Sequence, residues 1–150
     1  ASDVYKRQEK LNERKVPAMA FFHMPPAEFK EAYEKMKLGD HSVIYEHGSI
    51  GEKDEYFGIS NRPPHFFEKA VDNGWLKWIF CGHDHLNTLS LTYKGIRMTY
   101  GMSIDYLGYS GIAKQYIQRG ATLITRKTNG NIDITMVPLT TVVSTRVRGA

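Results

Sequence analysis

Two apolar runs, Val16-Pro17-Ala18-Met19-Ala20-Phe21-Phe22 and Trp75-Leu76-Lys77-Trp78-Ile79-Phe80-Cys81, each end at a histidine, the second after a single glycine. Continuous apolar stretches of strand length read as strands buried in a sheet. Between them, Ala27 to Leu38 is built of helix formers, with Pro26 near its first turn and Phe29, Tyr33 and Met36 spaced by four and three. That spacing predicts an amphipathic helix closed by Gly39. Pro63 to Asn73 predicts a second helix, with Gly74 as its left-handed stop. A helix that returns to a strand implies a crossover unit, and therefore an α/β sheet. Residues 39–62 carry glycines and charges with no sustained period, which predicts a long irregular loop on the rim.

Beyond Gly82 the pattern changes to short strands joined by turns. Thr88 to Tyr93 and Ile96 to Tyr100 flank Lys94-Gly95, and Ala121 to Arg126 and Ile132 to Val137 flank Asn129-Gly130. Asn-Gly favours positive backbone angles at both central positions of a tight turn, so the last third is expected to be antiparallel hairpins. Residues 16–139 are expected to form the folded domain. Residues 1–15 read as a lead-in, its first eight residues similar to translated sequencing-adaptor peptide, and 140–150 as a tail.

Composition excludes some partners. The net charge of +4 invites a nucleic-acid reading until it is located. Residues 16–139 hold 13 Lys and Arg against 13 Asp and Glu, and the excess lies at the two ends, 7 against 3. No basic face, and so no nucleic acid, is indicated. The longest apolar run is too short to cross a bilayer, so no membrane is indicated either. Cys81 is the sole cysteine, which rules out an internal disulfide and leaves the compartment unknown.

The histidines carry the chemistry. In open α/β sheets functional groups collect past the carboxyl ends of strands, where His23 and Gly82-His83-Asp84-His85 both fall. Two prolines after His23 stiffen the chain there. Histidines two apart in extended backbone face the same side, so His83 and His85 are expected to converge, with Asp84 turned away. Neutral imidazoles ligate zinc, iron and manganese. Asp84 fits equally a carboxylate orienting an imidazole and a solvated turn residue. His41, His47 and His65 read as ordinary surface or core histidines, and Cys81 as a small buried strand residue.

The segment Phe21-Phe22-His23-Met24-Pro25 resembles the FxHxP element of calcineurin-like metallophosphoesterases, and Gly82-His83-Asp84-His85 resembles their closing GHxH element. Gly51-Glu52-Lys53, Cys81 to Asn87, Tyr100-Gly101 and Asp105 to Gly111 are similar to a subgroup related to purple acid phosphatases and yeast dosage-dependent cell-cycle phosphatases. The resemblance covers about residues 16 to 138. It implies an α/β fold: the C-terminal half of a four-layer α/β/β/α sandwich around two metal ions. Carried over by motif, His23 and His83 would bind one ion and His85 the other, the ions being divalent or trivalent Zn, Mn or Fe. The family's earlier motifs, DxH, GDxxD and GNH, are not found in this sequence, nor are the bridging aspartate and proton-donating histidine that they carry. The chain therefore reads as a fragment, inactive alone, of an enzyme that hydrolyses phosphomonoesters or phosphodiesters through metal-activated hydroxide, with His47, Tyr106 and Tyr109 as candidate substrate contacts on the rim. A mononuclear zinc hydrolase using the same three histidines, and a non-catalytic domain that binds metal or a partner, stay open as alternatives.

Overall fold

The computed structural model describes residues 16–59, 65–112 and 119–139, together with Arg7. The lead-in, apart from Arg7, and the tail from residue 140 lie outside the described residues. The chain forms two compact units, Ala1–Gly101 and Met102–Ala150.

In the first unit, strand β1 (Ala18–Phe21) starts one residue past Pro17. Proline has no amide to give to a ladder, and the first bond runs from Ala18 N–H to Trp75 O at 2.9 Å. Helix α1 (Ala27–Lys37) begins after Pro26, which sits at φ −68° and ψ 152°. It ends where Gly39, at φ +77°, lets the Asp40 N–H reach Lys35 O and its own N–H reach Met36 O. Those two bonds satisfy the last carbonyls of the helix in the paired pattern that a left-handed glycine permits. Helix α2 (His65–Asn73) is closed by Gly74 at φ +70°, and strand β3 (Leu76–Cys81) follows.

One expectation is corrected. The segment expected to be an irregular rim loop contains a strand, β2 (Val43–His47), and a short 3-10 turn at Lys53–Glu55. Strand β2 lies at an edge and buries only Val43 fully, so it lacks the apolar alternation by which a half-buried strand is recognised. Strands β4 (Ser90–Tyr93) and β5 (Ile96–Tyr100) join through Lys94 and Gly95, both at positive φ, as the two-residue turn required.

These five strands form one sheet in the order β1-β3-β5-β4-β2. Strands β1, β3 and β5 are parallel neighbours, while β4 runs antiparallel between β5 and β2. The hairpin β4-β5 is therefore antiparallel as expected, yet β5 sits beside β3 in parallel and completes a mixed sheet. Phe29 and Ala32 of α1, Phe67 and Ala70 of α2, and Ile79, Leu91, Tyr93, Ile96, Met98 and Tyr100 of the sheet form one buried cluster. Among these, Phe29 stacks on Tyr100 with ring centroids 4.9 Å apart.

In the second unit, β6 (Gly120–Arg126) and β7 (Ile132–Pro138) form an antiparallel hairpin. Its turn differs from the two-residue form. Lys127 O accepts from Gly130 N–H, and Lys127 N–H donates to Asn131 O; only Gly130, at φ +86°, is left-handed. This is a three-residue loop ending in a glycine bulge, with Asn129 in ordinary backbone. The mixed α/β architecture, a five-stranded sheet followed by an antiparallel hairpin, is the expected fold class and is consistent with a piece of the four-layer sandwich.

Candidate metal centre

Parallel pairing of β1 with β3 puts their carboxyl ends side by side. The ladder runs on past the strands, with Phe22 N–H donating to Phe80 O at 3.1 Å and Gly82 N–H to His23 O at 2.9 Å. His23 and Gly82 are thus clamped together, and His83 follows at once. His23 Nε2 lies 3.1 Å from His83 Nδ1, with the rings crossed at 81° and their centroids 5.0 Å apart. Two nitrogens each about 2.1 Å from one ion, at an angle of about 90–110°, stand about 3.0–3.4 Å apart. The pair therefore stands at a distance that suits an N–H···N hydrogen bond between the two rings and equally two neighbouring ligands on one ion. Among the described residues no group of three or more His, Cys, Asp or Glu side chains is placed to hold a metal.

The backbone between the two GHxH histidines differs from the extended form expected for it. His83 has φ +72°, and Asp84 N–H donates to Gly82 O at 2.9 Å. A bond between residues two apart, across a centre with positive φ, is a γ-turn of the uncommon, strained hand. His85 stands at the start of the next turn and is half-buried.

Asp84 is only 5% exposed, so it is not a solvated turn residue, and its recorded partners are a backbone amide and a tyrosine hydroxyl. Both of its oxygens accept from Gly58 N–H, at 3.1 and 3.0 Å, and Oδ2 accepts from the Tyr100 hydroxyl at 2.5 Å. Burial first, and then the adjacent Asp84 carboxylate, drive the Tyr100 hydroxyl well above its ordinary range, so it remains a donor at any physiological pH. Gly58 faces the histidine itself. A Cβ there would stand 1.9 Å from His83 Cδ2 and 2.5 Å from its Nε2, so a side chain at this position would collide with the imidazole. Asn87, fully buried, accepts from the Gly51 and Glu52 amides and donates to Tyr56 O, while Glu52 accepts from Leu86 N–H. Residues 51–58 are in this way stapled to the histidine turn.

Sequence reasoning gave no role to Gly58, Tyr100 or Asn87. Tyr100 and Asn87 lay inside segments already singled out by resemblance; Gly58 carried no signal. Cys81 is buried with its Sγ 3.7 Å from Thr99 O, and burial pushes its thiol far upward, as a packed strand residue requires.

The rim candidates lie elsewhere. His47 ends β2 at the same edge of the sheet as His23 and His83, but three strand spacings, roughly 14 Å, separate β2 from β3. Its Nδ1 is 3.1 Å from Arg97 Nη2, and its Nε2 is buried with no hydrogen-bond partner. Burial, and then the Arg97 charge, lower its pKa. Tyr106 and Tyr109 are both exposed on a loop of the second unit. Tyr106 lies against the Arg119 guanidinium at 5.2 Å, and that buried side chain donates through Nε to Asp105 O at 2.6 Å. Among the described residues no helix is long and apolar enough to cross a membrane.

The chain is similar to three Arabidopsis thaliana proteins described as probable inactive purple acid phosphatases. Number 29 is 28% identical over 93 residues, 62% of this chain and 21% of that protein. Number 28 is 31% identical over 93 residues, 62% of this chain and 20% of its own length. Number 14 is 38% identical over 47 residues, 31% of this chain and 12% of its own. The chain thus spans about a fifth or less of the length of these curated relatives. No family model matches it, and no solved structure does. The similarity supports the metallophosphoesterase superfamily.

Proposed function

We propose that this chain is the C-terminal part of a metal-dependent phosphoester hydrolase of the calcineurin-like type, within the branch related to purple acid phosphatases and dosage-dependent cell-cycle phosphatases. The observation that carries the reading is the 3.1 Å approach of His23 Nε2 to His83 Nδ1 at two adjacent strand ends. In this reading His23 and His83 hold one ion and His85 reaches a second, both drawn from Zn, Mn and Fe. When bound, such ions would supply the Lewis-acid charge for in-line displacement at phosphorus. This chain's own work is to offer imidazoles that add no negative charge, so the site keeps its attraction for a phosphate dianion. His47, at the same edge of the sheet as the pair, is proposed to contact the remainder of a phosphomonoester or phosphodiester.

A second reading, a non-catalytic domain that binds metal or a partner, draws on the relatives being described as probable inactive. Metal titration and an aryl phosphate assay of the 150-residue chain, with added Mn²⁺ or Zn²⁺, address both readings. Uptake that is lost in His23→Ala and His83→Ala, without turnover, is the expected result. Uptake unaffected by either substitution would remove the shared site, and turnover abolished by His83→Ala would show that the chain alone is catalytic. DxH, GDxxD and GNH motifs in the same reading frame upstream would decide for the hydrolase over the binding domain.

A further inference from the structure

His83 stands in a backbone conformation that residues with a Cβ rarely adopt. Such strain persists where the surroundings over-determine it. The surroundings here are specific. Asp84, the next residue, drives its carboxylate inward onto the Gly58 amide and the Tyr100 hydroxyl. Tyr100 is itself immobilised: its ring stacks on Phe29, its strand pairs with β3 at Cys81, and Gly101 N–H donates to Cys81 O at 2.8 Å. The Gly58 amide that the carboxylate grips belongs to a residue with no room for a methyl group beside His83 Cδ2 and Nε2. One carboxylate therefore holds both the turn that carries the ring and the residue next to the ring.

We propose that Asp84, through Tyr100 and Gly58, is the positioning residue of the His23–His83 pair, holding the His83 ring so that Nδ1 faces His23. The turn is thereby fixed by contacts from Gly58 and Tyr100, and the pair is preorganised before any ligand arrives. Residues 51–56 are anchored separately by Asn87 and Glu52, so loss of the Asp84 contacts loosens Gly58 without releasing the whole loop. The metal-binding consequence rests on the proposed function; the ring geometry does not.

The test compares the 150-residue chain with Tyr100→Phe, which removes one hydroxyl and keeps the stacked ring, and with Asp84→Asn and Gly58→Ala. Two readouts are taken at matched folded fraction, set by urea titration. One is the nuclear Overhauser contact between the His23 and His83 ring protons, with the ¹⁵N tautomer pattern of His83, in metal-free protein. The other is Co²⁺ affinity from visible absorption. The expected result is a weakened ring contact and about 10- to 100-fold weaker Co²⁺ binding in all three, the range found when partners that orient a metal ligand are removed. Folded Tyr100→Phe and Asp84→Asn proteins that keep the ring contact and bind Co²⁺ within about twofold of the parent would overturn the proposal, even if both were less stable. Should the parent chain take up no Co²⁺, the metal-site reading fails, and the metal-free ring contact alone decides the positioning role.

Discussion

Among single residues, His47 shows how burial and charge set chemistry that its type alone does not. Its Nδ1 meets the Arg97 guanidinium, whose Nη1 lies 3.5 Å from Glu46 and whose Nε donates to Ser90 Oγ at 2.9 Å. Burial and Arg97 both favour the neutral ring. The unfolded chain binds that proton near pH 6.5 while the folded chain resists it, so stability is complete above pH 6.5 and declines as pH falls toward the lower folded value. Urea unfolding between pH 7.5 and 5 is expected to show a steeper loss for the parent than for His47→Gln. Parallel curves would mean that His47 does not titrate in this range. The places of His23 and His83 past two strand ends were legible because each comes just after an apolar run of strand length. The γ-turn at His83 was not, since its positive φ is imposed by contacts from Gly58 and Tyr100, distant in sequence.

At the scale of elements, two glycines with nearly equal φ separate conformational from steric cost. Gly130, at φ +86°, has nothing within 4 Å of where an added Cβ would stand, whereas a Cβ at Gly48, φ +82°, would lie 2.0 Å from Thr88 O. Gly130→Ala should cost the unit that carries it about 1 kcal/mol, the ordinary penalty of a left-handed alanine. Gly48→Ala should cost its own unit at least about 1–3 kcal/mol more, because Thr88 is held by the bond from its N–H to Ser49 O and cannot yield. Chemical denaturation of both variants checks the order, and equal losses would refute the steric argument. Helix α1 was readable because its 3.6-residue period, opening proline and closing Gly39 all act locally. Strand β2 was hidden because an edge strand that buries one residue fully leaves no period to read.

For the molecule as a whole, the weak point is the edge of the larger sheet. Strand β1 lies at that edge, and Phe21 is 64% exposed, with Met19 and Val16 also open to solvent. An apolar edge strand with open backbone groups is a template for self-association. Light scattering at raised concentration should show that the parent chain associates and that Phe21→Lys reduces it. Part of any loss of stability in this variant would come from breaking the Phe21–Phe80 stack, whose centroids are 4.9 Å apart. Unchanged association in Phe21→Lys would place the sticky surface elsewhere.

The sequence by itself determined the local elements and the α/β class. Periodicity, the prolines at Pro17 and Pro26, and the stops at Gly39 and Gly74 act within a turn or two of chain, and apolar runs ending at His23 and Gly82 marked two strand ends as the place to look. Only the tertiary structure decided that β5 pairs in parallel with β3 and that β2 completes the sheet. It also decided that Asp84 turns inward, and that Gly58 lies beside His83. Each of these depends on backbone hydrogen bonds or packing between residues 16 to more than 40 positions apart, and such pairings are chosen by the burial available to the whole chain rather than by any local preference.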